Sequence, residues 1–224
     1  MSTAVTRYFV SSIGRKQLIA FTGLLLCGFL VTHLLGNVLI LVSANAFNLY
    51  AHKLISLGAL LYVAEAGLAA IFALHFGLAI KLTIENKVAR GQKYYVKNRT
   101  GRGETLMSST MPYTGMILLV FLILHILQFK FGAYYETTID GVVMRDLHRL
   151  VVEFFRSPLN VAWYVFAMTA AAFHTAHGFQ SAFQTFGWNH YVWMPKVKYL
   201  GYIYAVSVAG GFAFITIMTH VRGA

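Results

Sequence analysis

A lone cysteine, Cys27, excludes an intrachain disulfide and any metal site built from several thiolates. Charge is equally scarce: 11% of the 224 residues are Asp, Glu, Lys or Arg, against roughly 25% in an ordinary soluble domain. Since 58% of the chain is hydrophobic, too little polar surface exists to cover a water-soluble fold. Acids are rarest, seven against eighteen Lys and Arg, but no soluble domain is left to present the excess charge to nucleic acid. Nor is a secretory leader expected. The first apolar run starts after Lys16, is longer than a signal-peptide core and is followed by no small-residue cleavage site. No internal repeat and no low-complexity tract stands out.

Apolar stretches near the ~20 residues that cross hydrocarbon fall at about 18–42, 57–82, 112–131, 159–186 and 197–220. The expected fold is therefore all-α: one integral membrane domain over 1–224, a bundle of five transmembrane helices. The fourth stretch exceeds what a bilayer needs, and Gln180, Ser181, Gln184 and Thr185 make its last turns polar. With the spans alternating, twelve Lys and Arg fall on the side of the N-terminus and six on the other. The positive-inside rule then puts the N-terminus in the cytoplasm. The segment 81–104 is on this reading a basic cytoplasmic loop, suited to setting topology or to docking a cytoplasmic partner. On the opposite side, 44–58 and the segment around 134–158 suit helices lying in the interface.

Within the spans stand His33, His75, His125, His174 and His177. Intramembrane ionisable residues are rare and usually functional. At ~1.5 Å per residue, His33 lies about 22 Å and His125 about 20 Å from the cytoplasmic ends of their spans. His75 lies about 10 Å from that end, His174 about 18 Å and His177 about 14 Å. Two levels of paired imidazoles on four helices suit two bis-histidine haems stacked one above the other, because each iron takes axial ligands on opposite faces. Zinc would want ligands clustered at close spacing. Depth alone leaves His174 and His177 both open as the fourth ligand. Gly23, Gly28, Gly36, Gly67, Gly77, Gly115 and Gly178 would let backbones approach or make room for a macrocycle. His52, His148, His190 and His220 fall in loops or at span ends and are assigned no ligation.

These features resemble the single-chain, di-haem cytochrome b anchor of succinate:quinone and quinol:fumarate oxidoreductases, over nearly the full length. The resemblance rests on SSIGRK ahead of a span with TG and then His, on AFNLYAH after it, on histidines in spans one to four, and above all on FHTAHGFQSAFQTFG at 173–187. It implies His174 as the fourth-span ligand, from Phe173, His174 and Gly178. It also implies two haem b groups, His33 with His125 in the distal one and His75 with His174 in the proximal one. Further implications are a bacterial cytoplasmic-membrane location, a flavoprotein subunit and an iron–sulfur subunit that carry the FAD and the clusters, and a membrane quinone, menaquinone by class, as substrate. A homodimer of the whole complex is compatible with it, and nucleic acid has no part.

No dicarboxylate chemistry is expected in this chain. Glu65, the only acid deep in a span, is the candidate proton carrier for quinone chemistry. Where some family members carry an acid two residues before the fourth ligand, this chain has Ala172. Arg15, Lys16, Gln17 and Lys53 are candidates to meet haem propionates by charge or hydrogen bonding. Two alternatives are the cytochrome b of a hydrogenase or formate dehydrogenase, and a small transporter or proton channel with a histidine relay. The FHxxxG segment disfavours the first, and the lack of repeats or broken helices the second.

Overall fold

The structure, a computed structural model, describes residues 7–8, 11–90 and 105–223. Seven helices and one hairpin make up the described chain: α1 (Ser12–Val42), α2 (Ala44–Ile55), α3 (Ala59–Arg90), α4 (Leu106–His125) running on as a π-helical turn (Ile126–Lys130), β1 (Glu136–Ile139), β2 (Val142–Arg145), α5 (Leu147–Phe155), α6 (Pro158–Thr185) and α7 (Trp193–Gly223). Helices α1, α3, α4 with its π-turn, and α7 are long and apolar enough to cross a membrane. At 28 residues α6 is also long enough, but His174, Thr175, His177 and Gln180 dilute its apolar character. It sits in the middle of the bundle instead, packed on α7, α4 and α1.

Local chemistry sets the boundaries. Ser11 caps α1 by accepting from the Gly14 amide at 3.1 Å. A single extended residue, Ser43, ends α1 and caps α2 through the Ala46 amide, so the chain turns onto the end of the bundle in one step. Thr105 and Ser108 cap α4 reciprocally, the two-way arrangement that satisfies orphan amides at a helix start. Beyond the expected second span, α3 stays helical to Arg90, which moves 81–90 from loop to helix. The rest of that basic segment, with Tyr94 and Tyr95, lies outside the described residues.

One end of the bundle carries a cap. Helix α2 lies there as expected, and so does α5 within the segment around 134–158, preceded by a short hairpin that the sequence reading did not include; the fold is all-α. The hairpin turn is Asp140 and Gly141, both at positive φ (51° and 77°), the left-handed pair that a two-residue hairpin turn requires. Asn48, 2% exposed, ties α2 to α5: its amide donates to Asp146 Oδ1 at 2.8 Å and its carbonyl accepts from the His148 amide at 2.9 Å. Three more bonds close the same end. Arg222 donates to Leu41 O, His220 Nδ1 to Phe155 O and Arg156 to Gly223 O.

Beneath the cap, Ile40, Phe47, Val151, Phe155, Tyr164 and Ile215 form the main apolar cluster. Below that, α6 and α7 meet through Ala167, Met168, Ala171 and Ala209, small side chains that bring two helix axes close together. Among the described residues, no large side chain is buried below 2% exposure. Helix α3 is the least enclosed, resting on α1 and more lightly on α4.

Candidate functional site

Four helices bring four histidines into two levels. Nearer the cap, the rings of His33 (α1) and His125 (α4) face each other at 5.9 Å between centroids and 88° between planes. Phe29 stacks on His33 at 5.2 Å, Phe121 stacks on His125 at 5.5 Å, and Phe129 and Phe212 close the sides. These are the two histidines that the resemblance pairs, on the first and third expected spans. Further from the cap, His75 (α3) reaches α1 and His174 (α6) reaches α4, each settling on a Thr-Gly pair.

The hydrogen bonds at these rings favour one tautomer over the other. Tyr164 gives its hydroxyl hydrogen to Gln128 Oε1 at 2.7 Å, so toward His125 Nδ1, 3.3 Å away, it offers only lone pairs. That arrangement favours the His125 tautomer that donates from Nδ1, with Nε2 left as a bare electron-pair donor. The same logic holds for His75, whose Nδ1 lies 3.1 Å from Thr22 Oγ1 and 3.1 Å from the Ile19 carbonyl. For His174 the partner is Thr114 Oγ1 at 3.1 Å. Ligating histidines characteristically donate their other N–H to such an acceptor. His33 differs: its Nε2 lies 3.4 Å from Asn37 Nδ2, while that amide also donates to the His33 carbonyl.

His177 is unlike His75, His125 and His174: among the described residues its buried Nδ1 has no hydrogen-bond partner. Glu65 also departs from expectation, since it is not sealed in the bundle. Its side chain is 37% exposed and ion-paired with Lys130, at the last residue of the π-turn that follows His125. Arg15 is committed elsewhere: its guanidinium grips both oxygens of Glu85 at 2.6 and 2.8 Å, locking α1 to α3. Gln17 accepts from Tyr8, whereas Lys53 is exposed.

Of the seven glycines expected to make room, two touch imidazoles. A Cβ on Gly23 would lie 3.1 Å from His75 Cε1, and one on Gly115 would lie 3.4 Å from His174 Cε1. Gly36 admits the Tyr50 ring, at 2.6 Å from such a Cβ, while Gly28, Gly67, Gly77 and Gly178 face open space. Sequence reasoning did not single out Thr22, Thr114, Tyr164, Gln128 or Arg145. The one legible signal was the TG dipeptide ahead of His33, which has a twin ahead of His125.

Tyr164→Phe tests the ring's support. The packing of the aromatic cluster is kept, but the acceptor for His125 Nδ1 is lost. We expect a protein that still folds but is less stable by about 1–3 kcal/mol, because both partners of the lost hydroxyl, Gln128 and His125, are left without it. The His125 ring nitrogens should shift in the 15N NMR spectrum of histidine-labelled protein, with those of His75 unmoved.

Among the described residues, no three His, Cys, Asp or Glu side chains converge as a metal cluster. The donors come as opposed imidazoles instead. Neither family models, nor curated proteins, nor solved structures give a match to this chain.

Proposed function

We propose that this chain is the membrane-anchor subunit of a succinate:quinone or quinol:fumarate oxidoreductase. On this reading it is a five-span bundle in the bacterial cytoplasmic membrane, N-terminus inside, with α6 as the central span and the cap on the outer side. It holds two b haems, one between His33 and His125 and one between His75 and His174.

The observation that carries the reading is the set of imidazoles whose Nδ1 protons are spoken for across helix interfaces. A structural histidine has no need to keep one nitrogen bare in the same way three times. The His33 and His125 rings, 5.9 Å apart between centroids, would hold one haem between α1 and α4, and the His75 and His174 rings the other. Room is the remaining requirement. All four imidazoles are only partly buried, and the lack of fully buried large side chains among the described residues supports an interior that a macrocycle can enter.

Haem iron, when bound, supplies reversible one-electron storage. The chain's own part is to hold each imidazole in register, to keep water from the His33/His125 level with Phe29, Phe121, Phe129 and Phe212, and to exchange protons at its surface. Glu65 suits the last task. Its carboxylate, paired with Lys130 beside the π-turn, faces the lipid side where a quinone, menaquinone on the resemblance, would arrive. A π-turn directly after a candidate ligand is itself a frequent mark of functional sites. The flavoprotein and iron–sulfur subunits would dock on the cytoplasmic side, where the excess of Lys and Arg lies.

Purified chain from haem-replete cells should show two b haems per polypeptide in reduced-minus-oxidised and pyridine haemochrome spectra, reducible by succinate in membranes containing the whole complex. A colourless protein would instead favour the histidine-relay channel.

A further inference from the structure

Thr22 and Thr114 occupy equivalent places in the two halves of the bundle. Thr22 precedes His33 on α1 by eleven residues, and Thr114 precedes His125 on α4 by the same number. Eleven residues make just over three helical turns, so threonine and histidine share one face of each helix about 16 Å apart. Glycine follows both threonines, and both glycines admit the edge of an imidazole from the next long helix: His75 of α3 at Gly23, His174 of α6 at Gly115. The helix pairs α1/α3 and α4/α6 thus repeat one unit, with the signature TG-x9-H on its first helix and a histidine on its second. The expectation of no internal repeat fails here, because the repeat is carried by three positions and a packing relation.

The hydroxyls are committed in the same way. Thr22 Oγ1 donates to Leu18 O at 2.7 Å, and Thr114 Oγ1 donates to Thr110 O at 3.1 Å. Each hydroxyl has one hydrogen, so what remains for the imidazole is a lone pair. At His75 the Ile19 carbonyl adds a second pure acceptor at 3.1 Å; a bare Nδ1 there would face oxygen lone pairs. A Thr114 hydroxyl turned to donate to His174 would abandon the Thr110 carbonyl inside its own helix. Both threonines are buried, at 3% and 8% exposure, so water does not offer a substitute.

We infer that Thr22 and Thr114 are paired positioning residues, which fix His75 and His174 as Nδ1–H tautomers and leave each Nε2 as the electron-pair donor. Each repeat unit then supplies one ligand to each level, and the level further from the cap is held by two copies of one device. The identity of the bound group rests on the haem reading above; the tautomer assignment does not. An acceptor on the far nitrogen raises ligand basicity, which favours the oxidised iron.

The test uses full-length holoprotein carrying Thr114→Val, Thr114→Ser, Thr22→Val or Thr22→Ser. Thr114→Val should raise the midpoint potential of one haem and leave the other in place. Thr22→Val should move that same haem by less, because Ile19 O still accepts. Both serine variants should return the native potential. Unchanged potentials in Thr114→Val, shifts that fall on different haems, or a Thr114→Ser chain that behaves like Thr114→Val would overturn the inference. In histidine-labelled protein, reduced or free of haem, 15N shifts should report protonated Nδ1 at His75 and His174. Should the unaltered chain bind no haem, the functional reading fails while this measurement still decides the tautomers; Nε2–H forms would reject the positioning role.

Discussion

On the proposed two-haem reading, a His174→Ala chain should lose one b haem and a His177→Ala chain should keep both. The two histidines lie three residues apart on α6, and depth along the helix does not separate them. Their surroundings do. His174 Nδ1 is held by Thr114 of a neighbouring helix, which is the support a ligating imidazole ordinarily has, whereas His177 Nδ1 is buried without a partner. Truncating His174 leaves Thr114 still bonded to its own helix, so no polar group is stranded and the bundle should fold. Truncating His177 removes an unsatisfied buried nitrogen, a change that costs little or even stabilises, since such an atom can be worth about 1–3 kcal/mol of penalty. Difference spectra should therefore lose about half of the α-band absorbance in His174→Ala and almost none in His177→Ala. The reverse pattern would transfer the ligand role to His177.

Much of the fold was legible because apolar length is a coarse signal. Four of the five expected spans coincide with helices that are long and apolar enough to cross a membrane, while the helix ends extend past the apolar windows wherever caps such as Ser11 and Thr105 sit outside them. The fifth, α6, is the most central helix of the bundle and also the most polar of the long ones. A span enclosed by other helices can carry His174, His177 and Gln180 where a lipid-facing one could not.

Pairing of His33 with His125 could be read from depth, since both lie about 20–22 Å from one end. Their supports could not, because whether Thr22 meets His75 or Thr114 meets His174 depends on helix rotation and neighbour choice. Glu65 shows the same gap from the other side: its depth in the sequence suggested burial, but α3 lies at the edge of the bundle and turns the carboxylate toward Lys130. The hairpin at Asp140–Gly141 was in principle readable from its turn chemistry, and was masked by the expectation of an interfacial helix.

Replacing Arg145 by Ala should destabilise the protein by about 2–4 kcal/mol and disturb the His33/His125 level more than the other. Charged hydrogen bonds are worth about 1.5–3 kcal/mol each when lost, but several from one group do not add. Arg145 reaches from β2 over the end of α4, where its guanidinium donates to Phe129 O at 3.0 Å, Ala133 O at 3.1 Å, Lys130 O at 3.4 Å and Gly132 O at 3.5 Å. These carbonyls close the π-turn, and a cation there also opposes the negative end of the helix dipole. The turn is tight: a Cβ on Gly132 would lie 1.9 Å from Gln128 O. Gln128 in turn accepts from Tyr164, and Tyr164 lies 3.3 Å from His125 Nδ1, so slackening the turn releases the support of the imidazole that directly precedes it. Lysine at 145 should recover little, as an ammonium cannot spread its donors over four carbonyls. Arg149→Ala is the control, because its side chain is 56% exposed and its partners, Glu153 and the Tyr135 ring at 4.2 Å, are surface contacts worth about 0–1 kcal/mol each. Thermal unfolding in detergent followed by circular dichroism, read beside the haem spectrum, should show Arg145→Ala moving both signals and Arg149→Ala neither. Loss of stability with an unmoved His125 environment would break the proposed link from the π-turn to the ligand.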